Sequence, residues 1–444
     1  MADVSTPKQR CARTSIFGIC VLALFTAAIA FSLRTAASGA IKAAIFDPID
    51  PARSGQLTGA ALGSAFAGFA LSLLAVSPIL DLVGAKRVLL TAAVCYVAGT
   101  ALVVLAPVLG GSSNAGDFVY WGFGVTGIGW GCTEGSINPV IAALYADEKT
   151  KRLNMLHAWW PAGIVIGGLG SVVLFQVWHV DWRVAIALIA VPAVVLGAWI
   201  LPQSFPKTES ASLGISFKEM IKEPFIHPTF WIFFVIMFLT SATELAPGSW
   251  VDIALSQTVH MPGILVLVYV AAIMFVMRHF AGPLARYFTD IGLLWFAAIP
   301  AGLGLLLLSV ANSQLTALVA ATVWAFGVCF MWPTMLAATA YRYPRGGSWT
   351  IGLVGFAGAM SMRFVLPELG AIYDKAKIAR AGGEAAFLAL RPGQHLSEVL
   401  AYAAAQSFQA VAVIPVVLLL AFGVLYLFER KRRLGGPNVP TAKS

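Results

Sequence analysis

Charge is what this sequence has least of. Asp, Glu, Lys and Arg make up 11% of its 444 residues, against 59% hydrophobic residues, and the mean hydropathy is +0.84. Soluble domains carry roughly 25% charged residues, so a soluble enzyme or binding module is excluded and a polytopic membrane protein is expected. Cysteine is also scarce. The five present, Cys11, Cys20, Cys95, Cys132 and Cys329, are odd in number and lack CxxC spacing, which argues against a disulfide framework or a zinc site. No GxxxxGK[ST] motif occurs, so no phosphate-cradling loop is available to drive work with ATP. The net charge of +9 comes from basic residues scattered singly and in pairs between apolar blocks. A nucleic-acid-binding stripe is therefore not expected.

What remains is a series of apolar runs long enough for a hydrocarbon core about 30 Å thick. The first six fall near 15–45, 58–80, 87–109, 117–145, 157–178 and 183–201. A polar break, 202–228, contains the short amphipathic piece Ile215 to Ile221, suited to a membrane surface. Six more runs follow near 229–256, 262–281, 291–311, 315–341, 348–371 and 399–428. Lys8, Arg10 and Arg13 ahead of the first run, with Ala36 to Ala40 behind it, have the outline of a signal peptide. The many comparable segments that follow favour an uncleaved first span. With the N-terminus placed inside, basic residues concentrate on that side, including Lys86, Arg87, Lys149, Lys151, Arg152 and the run Arg430 to Arg433. The positive-inside rule then puts both termini in the cytoplasm.

The stretch WGFGVTGIGWGCTEGSINP, Trp121 to Pro139, contains Gly122-Phe-Gly124-Val-Thr-Gly127, which matches GxGxxG and has Asp147 about twenty residues beyond its last glycine. A dinucleotide loop needs a preceding strand and a soluble βαβ unit. Here the glycines sit in the fourth apolar run, where small residues let helices approach closely.

Several motifs go further. Ser77 to Arg87 reads SPILDLVGAKR and resembles the GxxxDxxGRK signature of the major facilitator superfamily, with Ser for the first glycine and Ala85 for the first basic residue. Gly131-Cys-Thr-Glu134-Gly-Ser-Ile-Asn138-Pro139 and Arg152-Leu-Asn154 resemble the GxxExxxNP and RLN motifs of the fucose:proton symporter family. Glu244 to Trp250, Gly282 after Arg278, and Trp332-Pro333-Thr334 are similar to that family as well. One departure is that Lys42 falls where those symporters carry an embedded aspartate. The resemblance implies an all-α major facilitator fold of 12 transmembrane helices in two pseudo-symmetric six-helix halves. Residues 1–201 would form one bundle, 202–228 a cytoplasmic linker and 229–444 the second bundle, with an external loop near 373–398.

Ionisable residues inside spans are functional candidates because each costs several kcal/mol unless it is partnered or faces a cavity. Glu134 is the expected proton-coupling residue, the position to which the resemblance assigns a coupling or substrate-linked glutamate. Neutralisation of Lys42 by Glu134 is the alternative. Arg34, Lys42 and Arg363 suit an anionic group, although Arg34 is also placed to snorkel towards headgroups. Asn138, His157, Trp160, Glu244 and Trp250 complete the expected substrate-binding set, with aromatic stacking and hydrogen bonding suited to a polyhydroxyl ligand. Asp81, Gly84, Lys86, Arg87 and Arg278 are expected at a gate.

These readings point to a secondary active transporter, not an enzyme, needing no cofactor. It would move a sugar or sugar acid with a proton by alternating access. It is expected to be a monomer in the inner (plasma) membrane of a bacterium, partnered by solute, proton and lipid bilayer and not by nucleic acid. Alternatives are an organic-anion transporter or exporter using Arg34, Lys42 and Arg363, and a transporter-derived sensor without flux. A membrane-embedded transferase would have to use Asp374, Glu384, His395 and Glu398 between the last two spans, which lack metal spacing.

Overall fold

The computed structural model describes residues 7–145, 152, 155–206, 214–255, 263–278, 280, 284 and 287–435. Among these the regular structure is helical, as a backbone in hydrocarbon requires, since a helix satisfies its N–H and C=O groups within its own segment. The first six spans are α1 (Pro7–Ile41), α2 (Ser54–Val83), α3 (Ala85–Val104), α4 (Ala106–Leu144), α5 (Met155–Val177) and α6 (Trp182–Ile200). A surface helix α7 (Phe217–Ile226) follows, and then α8 (Pro228–Leu255), α9 (Ile264–Arg278) and α10 (Asp290–Ser309). The tenth span is broken into α11 (Gln314–Val328) and α12 (Met331–Arg342). The last elements are α13 (Gly347–Ala381), the short α14 (Glu384–Leu388) and α15 (Gln394–Gly435).

Among the described residues, ten helices are long and apolar enough to cross a membrane. The shorter α9 and the 39-residue α4, kinked at Gly111 where φ is +57°, occupy the two remaining expected positions. The external loop expected near 373–398 is mostly helical. α13 runs on to Ala381, where Gly382 ends it with a left-handed φ of +90°, and α15 starts at Gln394. The amphipathic piece of the central segment becomes α7, headed by a capping box. Ser216 Oγ accepts the Glu219 N–H at 3.3 Å and Glu219 Oε2 accepts the Ser216 N–H at 3.2 Å. These bonds hold the Glu219 carboxyl below the usual carboxylate range.

The glycine-rich stretch lies inside α4 and brings that helix against α2 and α3. A Cβ placed on Gly127 would lie 1.8 Å from the Ala65 carbonyl oxygen, and one on Gly122 2.5 Å from a Val103 methyl. Among the described residues no strand precedes it, so the dinucleotide reading is discarded. A second seam joins α2 to α13, which run antiparallel. Gly55 meets Asp374 and Gly370, Gly59 meets Leu366, Gly63 meets Met362 and Arg363, and Ser77 meets Gly352 and Ser348. Contact therefore extends along both helices, through a face of small residues.

Gly127→Ala is expected to destabilise the purified protein by about 1–3 kcal/mol through overpacking. Gly170→Ala, where an added Cβ meets nothing within 4 Å, should be neutral or slightly stabilising. Thermal melting of both variants in one detergent checks the contrast.

Candidate functional site

The site begins with two prolines. Pro333 has no N–H, so the helical bond that would close on the Cys329 carbonyl is missing and the tenth span breaks between α11 and α12. Arg278, the last residue of α9, donates Nε–H to the freed Cys329 oxygen at 3.2 Å. Glu244 of α8 takes the other side of the break, its Oε2 accepting the Trp332 N–H at the start of α12 at 3.0 Å. Regular bonding resumes with Thr334 N–H to the Phe330 oxygen at 3.1 Å. Pro247 acts the same way in α8. The Thr243 carbonyl that it leaves without a helical donor accepts Trp324 Nε1–H at 3.3 Å.

Arg278 and Glu244 also pair directly, Nη2 to Oε1 at 3.3 Å, with side chains only 11% and 3% exposed. Each charge thus caps one half-helix: the cation holds the C-terminal carbonyl of α11 and the anion the N-terminal amide of α12. Both placements match the helix dipole. The remaining Arg278 donor, Nη1–H, reaches the His157 carbonyl at 3.5 Å, on the fifth span.

From His157 the polar chain continues into α4. Its Nε2 lies 2.8 Å from Asn138 Oδ1, and Asn138 Nδ2–H donates to Glu134 Oε2 at 3.1 Å and to the Glu134 carbonyl at 3.2 Å. Glu134 and Asn138 are four residues apart, so they share one face of α4. One turn before Glu134 stands Trp130. Its indole stacks on Phe69 (4.4 Å, 9°) and on Trp160 (4.8 Å, 16°), and Phe69 in turn faces Trp332 at 6.2 Å. Trp130 Nε1 is buried without a hydrogen-bond partner among the described residues. An aromatic wall with an indole N–H near a half-buried carboxyl offers both stacking and hydrogen bonding.

The other expected residues lie apart from this chain. Arg34 is 3% exposed and donates to Thr126 Oγ1 at 2.8 Å, with its guanidinium 5.7 Å from the Phe123 ring centroid. It therefore points into the first six spans, not towards headgroups. Lys42 pairs with Asp47 at 2.6 Å across a short π-helical continuation of α1, and not with Glu134. Arg363 is half-buried over Tyr120 (5.9 Å). Trp250 packs edge-on against Tyr373 at 6.1 Å, near the end of α13 where Asp374 and Lys377 lie.

There Asp374 Oδ2 accepts the Gln56 N–H at 2.8 Å, capping α2. Lys377 Nζ lies 2.5 Å from Asp374 Oδ1 and donates to the Pro51 carbonyl at 3.3 Å. Among the gate residues, Gly84 takes φ +87° between α2 and α3, Lys86 Nζ–H donates to the Leu201 carbonyl at 2.6 Å, and Arg87 is exposed. Arg278, expected at the gate, is buried on Glu244. The Asp81 side chain, and Leu153, Asn154 and Gly282 entirely, lie outside the described residues. Arg152 sits over the Tyr145 ring at 4.6 Å.

The sequence matches the Major Facilitator Superfamily over residues 17–367. The chain belongs to that superfamily. Solved structures agree on the fold at low identity. A D-xylose–proton symporter superposes with TM-score 0.69 and 14% identity over 88% of this chain and 96% of its own. A bacterial homologue of the human lysosomal transporter Spinster, inward-facing and unoccupied, gives 0.71 and 16% over 98% and 100%. The E. coli fucose:proton symporter gives 0.59 and 14% over 93% and 99%. No curated protein matches the chain by sequence. As a major facilitator protein, the chain places its best-connected polar residues where its fourth, fifth, seventh, eighth and tenth spans meet.

Two features escaped the sequence reading. Trp130 stands four residues before Glu134 and so on its face, a signal present in the spacing. The Arg278–Glu244 pair had no such signal, since 34 residues separate its members.

Because Lys377 is 1% exposed and its ion partner 8%, Asp374→Asn should cost about 3–5 kcal/mol by leaving a buried cation unpaired. The double variant Asp374→Asn/Lys377→Met should recover part of that loss in thermal melting. Lys42→Ala, which breaks a half-exposed pair, should cost about 1 kcal/mol or less.

Proposed function

We propose that this major facilitator protein is a proton-coupled secondary transporter that moves a sugar or sugar acid by alternating access, with Glu134 as the proton-coupling residue. The observation that carries the reading is the placement of Glu134. Its half-buried carboxyl is held by Asn138, beside the stacked rings of Trp130, Trp160 and Phe69. An acid at that depth binds and releases a proton according to which face has access to it. Stacked indoles beside a carboxyl suit the apolar face and hydroxyls of a pyranose. The names of two structural relatives, a D-xylose–proton and a fucose:proton symporter, point the same way.

In this reading residues 1–201 and 229–444 are two six-helix bundles joined by 202–228, and they rock about the site. The basic residues near both termini set those ends in the cytoplasm of a bacterial inner membrane. Gly84, Lys86 and Arg87, with Asp81 beside them, then stand at the inner gate. Asn138, His157 and Trp160 serve the solute; Trp250 stands nearer the outer end. One observation favours an anionic solute: Arg34 is buried without a carboxylate partner among the described residues. Lys42 is already paired with Asp47 and lends that reading less.

The test is uptake by proteoliposomes of the purified chain under an inside-alkaline pH gradient, with D-xylose, L-fucose and D-glucuronate as radiolabelled probes. Accumulation of at least one probe is expected in the wild type and should vanish in Glu134→Gln, which retains the Asn138 hydrogen bond but not the proton. Gradient-driven accumulation that survives in Glu134→Gln refutes the coupling role. Preference for glucuronate, lost in Arg34→Gln, would select the anionic solute.

A further inference from the structure

The polar chain at the site holds two acids and one base, and that inequality has a consequence. Glu134 on α4 and Glu244 on α8 belong to different sets of six spans, and Arg278 lies between them. It is bonded to Glu244 directly and linked to Glu134 through the His157 carbonyl, the His157 ring and Asn138. With both acids ionised the three groups carry a net charge of −1 in a site of low dielectric, whereas a single proton makes them neutral.

The other groups facing them do not alter that sum. They are the His157 ring, whose Nε2 meets Asn138; the Cys329 carbonyl and Trp332 amide at the break in the tenth span; and the Tyr96 hydroxyl of α3, which lies within electrostatic reach of Glu134 and of Arg34. Arg34 itself is bonded to Thr126. The Cys329 thiol at the same break lies within electrostatic reach of Arg278 and Glu244, and on α2 the rings of Phe66 and Phe69 pack against Trp130, one turn from Glu134.

We infer that Glu244 is a second coupling acid, and that one proton is shared between Glu134 and Glu244 through transfer of the Arg278 guanidinium from one carboxylate to the other. This rests on the proposed coupling role of Glu134. In the arrangement seen, Arg278 is on Glu244, and neutrality places the proton on Glu134. When Glu134 loses that proton to water, its carboxylate attracts the guanidinium, whose Nη1 already rests on the His157 carbonyl. Glu244 is then left without its cation and takes up a proton, so the site returns to neutrality with one proton bound. No other covalent bond is made or broken. The same movement withdraws Arg278 Nε from Cys329, uncapping α11, and weakens the carboxylate cap on α12. The break in the tenth span thereby responds to which acid is protonated, while Pro333 keeps it from healing into a continuous helix. A structural role for the pair would need only one acid and one base. The second acid, held one hydrogen-bonded chain away in the opposite set of spans, is the feature that role leaves unused.

Two measurements on the full chain test this. Uptake of D-xylose, L-fucose and D-glucuronate under an inside-alkaline gradient should fall at least about 10-fold in Glu244→Gln, as expected for loss of a buried charged partner. Glu244→Asp, which keeps the carboxylate, should restore accumulation. Accumulation in Glu244→Gln equal to wild type, with Glu134→Gln inactive, overturns the shared proton and leaves the Glu134 reading standing. Accumulation that persists in Glu134→Gln removes both.

The second measurement needs no solute: infrared difference spectra of the carboxylic-acid C=O stretch between acidic and alkaline pH. Removing either acid by Glu→Gln should abolish one component and move the titration midpoint of the other. A remaining component with an unchanged midpoint shows independent acids and overturns the inference, whether or not a variant is impaired in transport.

Discussion

A guanidinium withdrawn from water has to end on acceptors, and in this molecule the acceptors of Arg278 are what hold the centre together. Two of them belong to the seventh and tenth spans and the third to the fifth. In a low-dielectric interior such a pair is not a gain to be counted as stability. Its weight lies in the cost, about 3–5 kcal/mol, of separating it without replacement. Because the partners sit on separate helices, that cost fixes where α8, α9 and the two halves of the tenth span stand relative to one another. The proline breaks supply the acceptors and the charges supply the caps, so neither device is complete alone.

Much of the architecture was legible because hydropathy in a bilayer is a strong constraint. Residues 183–201 were expected as a span and form α6, Trp182–Ile200; 291–311 form α10, Asp290–Ser309. The segment after the eleventh span was misread. Lys375, Lys377 and Arg380 looked like loop residues, yet Lys377 is buried on Asp374 and prolongs α13 beyond the apolar run. Local charge density cannot reveal an ion pair that is made inside the fold.

The same limit applied at the site. Glu134, Asn138 and His157 were legible as chemistry-bearing residues in spans, and they come together in one hydrogen-bonded chain. Lys42 and Arg278 were legible as cations but not as partners. Lys42 finds Asp47 only because α1 continues through a π-helical turn, and Arg278 finds Glu244 only because the end of α9 reaches the break in the tenth span, which Glu244 caps from the other side. Trp130 stands among glycines whose spacing signals helix packing, although helical spacing alone puts it over Glu134.

In the alternating-access reading proposed above, the seam between α2 and α13 is where the two sets of spans part. Glycines at 55, 59, 63, 352 and 370 bring the two helices to backbone contact with few large side chains interlocked, and the Asp374 cap closes one end of the seam. A pair of helices joined in this way can part at either end while the centre stays in register. The most direct measurement is the distance between spin labels at Arg53→Cys and Lys375→Cys, two exposed positions flanking that cap, in a protein with its native cysteines replaced. Pulsed electron resonance in lipid should find two distance populations whose ratio changes between acidic and alkaline pH and loses that dependence in Glu134→Gln. A single distance at every pH, in protein that still transports, would contradict the account.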